Sequence, residues 1–139
     1  MQAGRRYGPL VLGFLAIAGG TEAAVASEPL AESYIQAQEF GRRDESDPKT
    51  IDFHRNVLLP QFSERYRALL QACQSTLPQP DQTIFSFVAA IGSEGEVLRL
   101  WSDRSPPVYA CVRGRLLFER FSPPPRAPFY LYIHMRFAQ

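Results

Sequence analysis

Two histidines and a pair of glutamates are the side chains of this chain best suited to acid–base chemistry. His54 falls in a helix or linker pattern and His134 near the end of a strand pattern, and no residue at an informative spacing would orient either ring. Glu94 and Glu96 lie in a predicted exposed turn, where burial cannot raise a carboxyl pKa as it does in glycosidases. The chain also lacks a phosphate-binding glycine loop and a nucleophile elbow. We therefore expect no catalytic residues, with a hydrolase that uses His134 kept as a third hypothesis.

The two cysteines, Cys73 and Cys111, predict a disulfide bond if the protein is exported to an oxidising compartment. The bond would close a loop of about forty residues, which the chain-entropy model values at roughly 4 kcal/mol. The alternatives are two buried free thiols, or a zinc site completed by His54 and His134. Zinc ligands usually cluster at short spacings, and these four residues do not. We expect neither a metal nor a cofactor.

Residues 1–26 have the pattern of a secretory signal peptide. Arg5 and Arg6 precede an apolar run over Pro9–Ala18, and small residues end in a cleavage motif at Ala26. The run is too short to span a bilayer comfortably. We therefore predict cleavage after Ala26, a periplasmic or secreted protein, and no stable membrane insertion after cleavage. An uncleaved amino-terminal anchor is the alternative.

The charge of the mature chain bears on its partners. Removal of residues 1–26 leaves thirteen of the fifteen Lys and Arg residues and thirteen of the fourteen Asp and Glu residues. A chain this close to neutral is not expected to bind nucleic acid non-specifically. After Glu96, however, seven arginines face only Asp103 and Glu119. This basic half either attracts an acidic partner or is covered by the acidic amino-terminal half.

The first part of the mature chain predicts helices. Residues 27–49 predict a peripheral helix that ends at Gly41, followed by a charged linker over Arg42–Lys49. The main domain is predicted at 50–139. There, Pro60 is expected to kink or restart a helix, and an apolar stripe at helical spacing then continues to about Gln74.

The second part predicts strands around one helix. Ile84–Ile91 is almost continuously apolar, as in a strand buried on both faces. A tight turn at Gly92–Gly95 leads to a second strand at Val97–Ser102. A helix of about fifteen residues, capped by Ser105, is expected to follow and to stop at the prolines 123–125.

The last segment predicts a strand with two different faces. One face alternates apolar residues, namely Phe129, Leu131, Ile133, Met135 and Phe137. The other carries Tyr130, Tyr132, His134 and Arg136. The helix before this strand returns the chain, so the third strand pairs antiparallel with the first. We therefore predict an α+β fold, with strand order 2-1-3, two helices on one face and the last strand at an edge.

These residues resemble the TonB carboxyl-terminal domain, a family of small periplasmic α+β modules. The resemblance covers about Phe62 to Phe137 and rests on the turn Ser93–Val97, the helical stretch Ala110–Val112, the aromatic run into proline at Phe118–Pro124 and the final strand. The family's serine-rich turn is replaced here by Asp103–Pro107, and the cysteine pair and the absence of a proline-rich spacer also depart from it. The resemblance implies that an extended peptide from a partner binds at the edge of the last strand.

We therefore expect a non-catalytic module that binds an envelope protein or one of its peptide segments, with Tyr130, Tyr132, His134 and Arg136 as the contact residues. Alternatively, Tyr130 and Tyr132 only cover the sheet. A second hypothesis is a small inhibitor or immunity-type protein that blocks an enzyme with the loop Asp103–Pro107 or Ser122–Ala127. An open edge strand also permits a homodimer.

Overall fold

The computed structural model describes residues 28–135. In chain order the elements are α1 (Tyr34–Ser46), α2 (Ile51–Phe53), a π-helical turn (His54–Leu58), α3 (Leu59–Ser75), β1 (Phe85–Ile91), β2 (Val97–Ser102), α4 (Pro107–Leu116) and β3 (Phe129–Met135). The predicted signal segment and Arg136 lie outside the described residues. Pro60 stands in the first turn of α3, directly after the π-helical turn. The backbone keeps helical dihedral angles at Phe53, Leu58 and Leu59, so the helix becomes irregular before Pro60 but does not restart there.

The strands form one antiparallel sheet in the order β2-β1-β3, which confirms the predicted α+β class and strand order. Val88 of the central strand pairs with Trp101 on one side and with Tyr132 on the other. Every residue of β1 is buried, because strands flank it and helices cover both of its faces. Its almost continuous apolar composition follows from this position.

Helices α3 and α4 pack on one face of the sheet, called the α3 face below, and enclose the main core. Phe62 and Tyr66 of α3 stack near Phe87 of β1, and Tyr109 of α4 packs edge-on to Phe85. The predicted disulfide is present: Cys73 of α3 is bonded to Cys111 of α4, with 5.7 Å between their Cα atoms. The bond joins the two helices that cover this face.

Helix α1 packs on the opposite face, called the α1 face. It begins after Ser33, whose hydroxyl accepts a hydrogen bond from the Gln36 amide. The predicted helix end at Gly41 is wrong, because the helix continues through Arg42 and ends at Ser46. Gly41 is needed for close packing: a Cβ at this position would lie 2.8 Å from the Cβ of Tyr132. The glycine therefore lets α1 approach β3 instead of ending the helix.

Helix α4 is shorter than predicted, with ten residues instead of about fifteen. Its amino-terminal cap is Pro106, and Ser105 makes no capping hydrogen bond. Beyond Leu116 the apolar residues do not share one face: Phe118 is 89% exposed, whereas Phe121 is buried. Phe121 reaches the core from an extended segment, and its own amide donates a hydrogen bond to the carbonyl of Gly95 at 2.8 Å. This backbone bond ends the helical path early.

Candidate functional site

The outer edge of β3 is the site that the sequence predicted for partner binding. In an antiparallel pair, the backbone N–H and C=O of one residue both point toward the neighbouring strand, and those of the next residue both point away from it. The Tyr130 amide donates to Asp44 Oδ2 at 2.9 Å, so it points away from β1. By alternation, the backbone groups of Tyr132 and His134 also point outward.

Asp44 closes the first part of this edge. Its carboxylate is fully buried and accepts from Arg43 Nε at 2.9 Å and from the Arg126 guanidinium, in addition to the Tyr130 amide. The chain between α1 and α3 passes round the same end of β3, where Phe53 packs edge-on to Phe129 with ring centroids 5.4 Å apart. No other strand can pair with β3 at this end.

The second part of the edge, Tyr132–Met135, is open; we call it the open half of β3. Within residues 28–135, no group accepts a hydrogen bond from the outward amides of Tyr132 and His134. His134 is exposed, and its neighbours Ile133 and Met135 are half-buried. This half therefore has unpaired outward backbone groups at two positions; His134 is open to solvent, whereas Gly41 of α1 packs beside Tyr132.

A groove lies between α3 and the open half of β3, with a volume of about 300 Å³. We call it the β3 groove, and its lining residues are Phe62, Ser63, Tyr66, Arg67, Leu70, Ile133 and Met135. Most of this surface is apolar, and Arg67 carries its single charge. The Tyr66 hydroxyl is buried without a hydrogen-bond partner in the described part of the chain, and burial raises its pKa. A strand on the edge would place every second side chain over this groove.

The predicted contact residues have different surroundings. The prediction that the Tyr130 side chain faces a partner is wrong, because α1 covers this side chain completely. Its hydroxyl accepts from the Ala31 amide at 3.0 Å, and its ring packs against Phe40 and Trp101. Tyr132 is half-buried beneath α1, and only His134 is exposed. Arg136 lies outside the described residues, so His134 is the one predicted contact residue within 28–135 whose side chain is exposed.

The structure also brings Ser86 and His134 together, with 2.6 Å between Ser86 Oγ and His134 Nδ1. They are direct cross-strand partners on β1 and β3, a register that residue spacing alone does not reveal. A serine–histidine pair can activate a nucleophile when a third group orients the base. Here Ser86 is only 3% exposed, and no carboxylate of residues 28–135 hydrogen-bonds to His134. The arrangement is typical of a cross-strand tie.

The other residues considered for catalysis or metal binding lie apart from Ser86 and His134. His54 is buried near Phe129, and burial lowers its pKa. Among residues 28–135, no three His, Cys, Asp or Glu residues are grouped so as to hold a metal ion. None of the described helices combines the length and the apolar character that a membrane span requires.

The two loops predicted for an inhibitor differ in their freedom. Arg126, in Ser122–Ala127, is paired with Asp44 and lies 3.7 Å from Asp47. This loop is therefore anchored to α1. Arg104, in Asp103–Pro107, is exposed and forms no ion pair with the carboxylates that the structure describes.

The predicted strand order also leaves β2 at an edge of the sheet, but the sequence did not indicate a hollow beside it. The outer side of β2 faces a hollow of about 400 Å³ lined by Leu100, Ser102, Tyr109 and Arg113, among others. Its walls are more polar than those of the β3 groove. Edges are exposed wherever a sheet ends, so β2 is the natural comparison site for any test of β3.

Comparison of the chain with protein-family models, with curated proteins and with solved structures found no match. The resemblance to the TonB carboxyl-terminal domain thus stays a hypothesis that rests on the residues given above.

Proposed function

We propose that this protein is a non-catalytic binding module that takes an extended segment of a partner protein onto the open half of β3. The observation that carries the proposal is the combination of outward, unpaired backbone groups at Tyr132 and His134 with an apolar groove directly beside them. In strand addition, backbone hydrogen bonds supply affinity and alternate side chains supply specificity.

The closed half of β3 defines where the added segment begins. Asp44 occupies the outward amide of Tyr130, so pairing starts at Tyr132 and proceeds toward the carboxyl end of the strand. Two backbone positions give few hydrogen bonds, and each contributes about 1 kcal/mol net. The groove must therefore provide much of the affinity. If the predicted export is correct, the partner is an envelope protein.

The test removes one backbone N–H that points away from β1 and leaves the hydrogen bonds between β1 and β3 intact. His134→Pro removes the outward N–H, whereas His134→Ala removes the same side chain and its bond to Ser86 but keeps the amide. The partner is captured from envelope extract by the immobilised mature chain, identified by mass spectrometry, and titrated calorimetrically with each variant. We expect His134→Pro to bind about fivefold more weakly than His134→Ala, as the loss of one backbone hydrogen bond requires.

Equal binding by the two folded variants would contradict strand addition at β3. If Arg104→Ala abolished binding while His134→Pro did not, the loop inhibitor would be the better account. A complex that consisted only of two copies of this chain, and was lost with His134→Pro, would assign the edge to homodimerisation. Circular dichroism of both variants checks that the fold is retained.

A further inference from the structure

We infer that the β3 groove selects partner segments that carry apolar side chains at every second position and a carboxylate placed to meet Arg67. This inference rests on the proposed function and specifies the chemistry of the segment. The occupant is an extended peptide of another protein, acidic at one position and apolar along one face.

The apolar requirement follows from the walls of the groove. A strand paired with Tyr132 and His134 directs alternate side chains, about 7 Å apart, toward the α3 face. There they meet Phe62 and Leu70 of α3 and Met135 of β3. Burying apolar side chains against such walls is favourable by about 25 cal/mol per Å² of area removed from water. Away from Ser63, Arg67 and the Tyr66 hydroxyl, polar side chains at the same positions would lose their hydration without gaining hydrogen bonds.

The carboxylate requirement follows from the charge of Arg67. Its neighbour on the same helix, Arg65, lies 3.7 Å from Glu119, and Arg43 and Arg126 are both paired with Asp44. Arg67 is exposed and has no ion pair within residues 28–135. Glu64, the nearest carboxylate along the helix, lines a second hollow together with Arg67 but forms no ion pair with it.

A charge at the rim of a site acts mainly on selectivity and association rate, since solvent screens it. Arg67 therefore discriminates among segments whose apolar side chains fit equally well. An acidic segment gains a charge-assisted hydrogen bond, and a basic one meets repulsion.

The test uses a phage-displayed library of short random peptides, selected separately against the folded mature chain and its Arg67→Glu variant. The wild type is expected to enrich peptides with alternating apolar residues and an Asp or Glu. The Arg67→Glu variant is expected to enrich Lys or Arg at that position instead, and to bind the wild-type peptides about tenfold more weakly. Arg113→Glu, at the hollow beside β2, is the matched control and should leave the selection unchanged.

The outcomes separate this inference from the proposed function. Selected peptides that lose binding with His134→Pro but show no acidic or alternating preference would overturn the inference and leave strand addition standing. Peptides whose binding is unaffected by His134→Pro would overturn both. The same holds if the library yields no binder, because a groove that selects short extended segments must retain some of them.

Discussion

At the scale of single residues, Asp44 decides how much of the β3 edge is available. Its carboxylate is 0% exposed yet accepts from a backbone amide and from two arginines, so the buried charge is fully compensated. The sequence places Asp44 in a charged stretch that predicts a solvated linker. Its burial depends on Tyr130 and Arg126, which are distant in the sequence and contact it only in the folded chain.

Asp44→Asn should therefore lower the free energy of unfolding by about 3 kcal/mol, because it leaves two arginines without their buried counter-charge. Asp47→Asn is the control, because the Asp47 side chain is 22% exposed and lies as far as 3.7 Å from Arg126. This substitution should lower the free energy of unfolding by less than about 1 kcal/mol. Urea unfolding of both variants measures the difference. Equal losses would show that Asp44 does not hold this end of β3.

His54 should make stability depend on pH. Burial, the largest influence, and Arg55 lower its pKa from the usual 6.5, while Glu45 and Asp44 oppose this shift. The unfolded chain therefore takes up a proton as the pH falls through 6.5, and the folded chain does so only at lower pH. Stability is thus complete above 6.5 and is lost as the pH falls below it.

Unfolding measured at several pH values below neutrality should show this loss in the wild type and a smaller one in His54→Gln. The comparison isolates one imidazole, because the two proteins differ at this residue alone. An identical pH dependence of the two proteins would contradict the buried state of His54.

At the scale of elements, α1 converts a sheet with one covered face into a sheet covered on both. It buries Ala37 in one cluster with Val88, Ala90 and Trp101 of the sheet, and Gly41 against Tyr132. Small contact residues give only a weak amphipathic signal, which explains why the sequence predicts a peripheral helix. The same helix positions Asp44, which occupies the Tyr130 amide and so sets where the open half of β3 begins. The sequence pattern does not reveal this packing role of α1.

Two helical glycines provide a matched test of this packing. A methyl group added at Gly114 in α4 would meet no neighbouring residue within 4 Å, so Gly114→Ala should raise the free energy of unfolding by about 0.5–1 kcal/mol. In α1, Gly41→Ala should lower it by about 1–3 kcal/mol, because the new methyl group would meet Tyr132 at 2.8 Å. Thermal unfolding gives the sign of each effect. A stabilising Gly41→Ala would show that α1 does not press against β3.

At the scale of the whole molecule, residues 28–135 form one main core on the α3 face and a smaller cluster on the α1 face, and a disulfide crosses the main core. Reduction should lower the free energy of unfolding by about 4 kcal/mol, since it removes a cross-link between residues 38 positions apart. The Cys73→Ala, Cys111→Ala double variant measures this without reductant. A loss below about 1 kcal/mol would contradict a cross-link that constrains the unfolded chain.

The sheet could be predicted because its determinants are local. Three local patterns predict the strands: the apolar run of β1, the turn at Gly95 that leads to β2, and the alternation in β3. The helix between β2 and β3 then determines the strand order. The site could be predicted only in part. Burial of Tyr130, capping by Asp44 and the bond between Ser86 and His134 all depend on contacts between distant segments. Residue spacing carries no trace of such contacts.

Amide hydrogen exchange, followed by NMR with and without a bound partner segment, tests the central claim most directly. Strand addition predicts that the amides of Tyr132 and His134 become protected in the complex while those of Leu100 and Ser102, on the opposite sheet edge, keep their exchange rates. Protection confined to β2 or to the Asp103–Pro107 loop, with Tyr132 and His134 unchanged, would contradict the account.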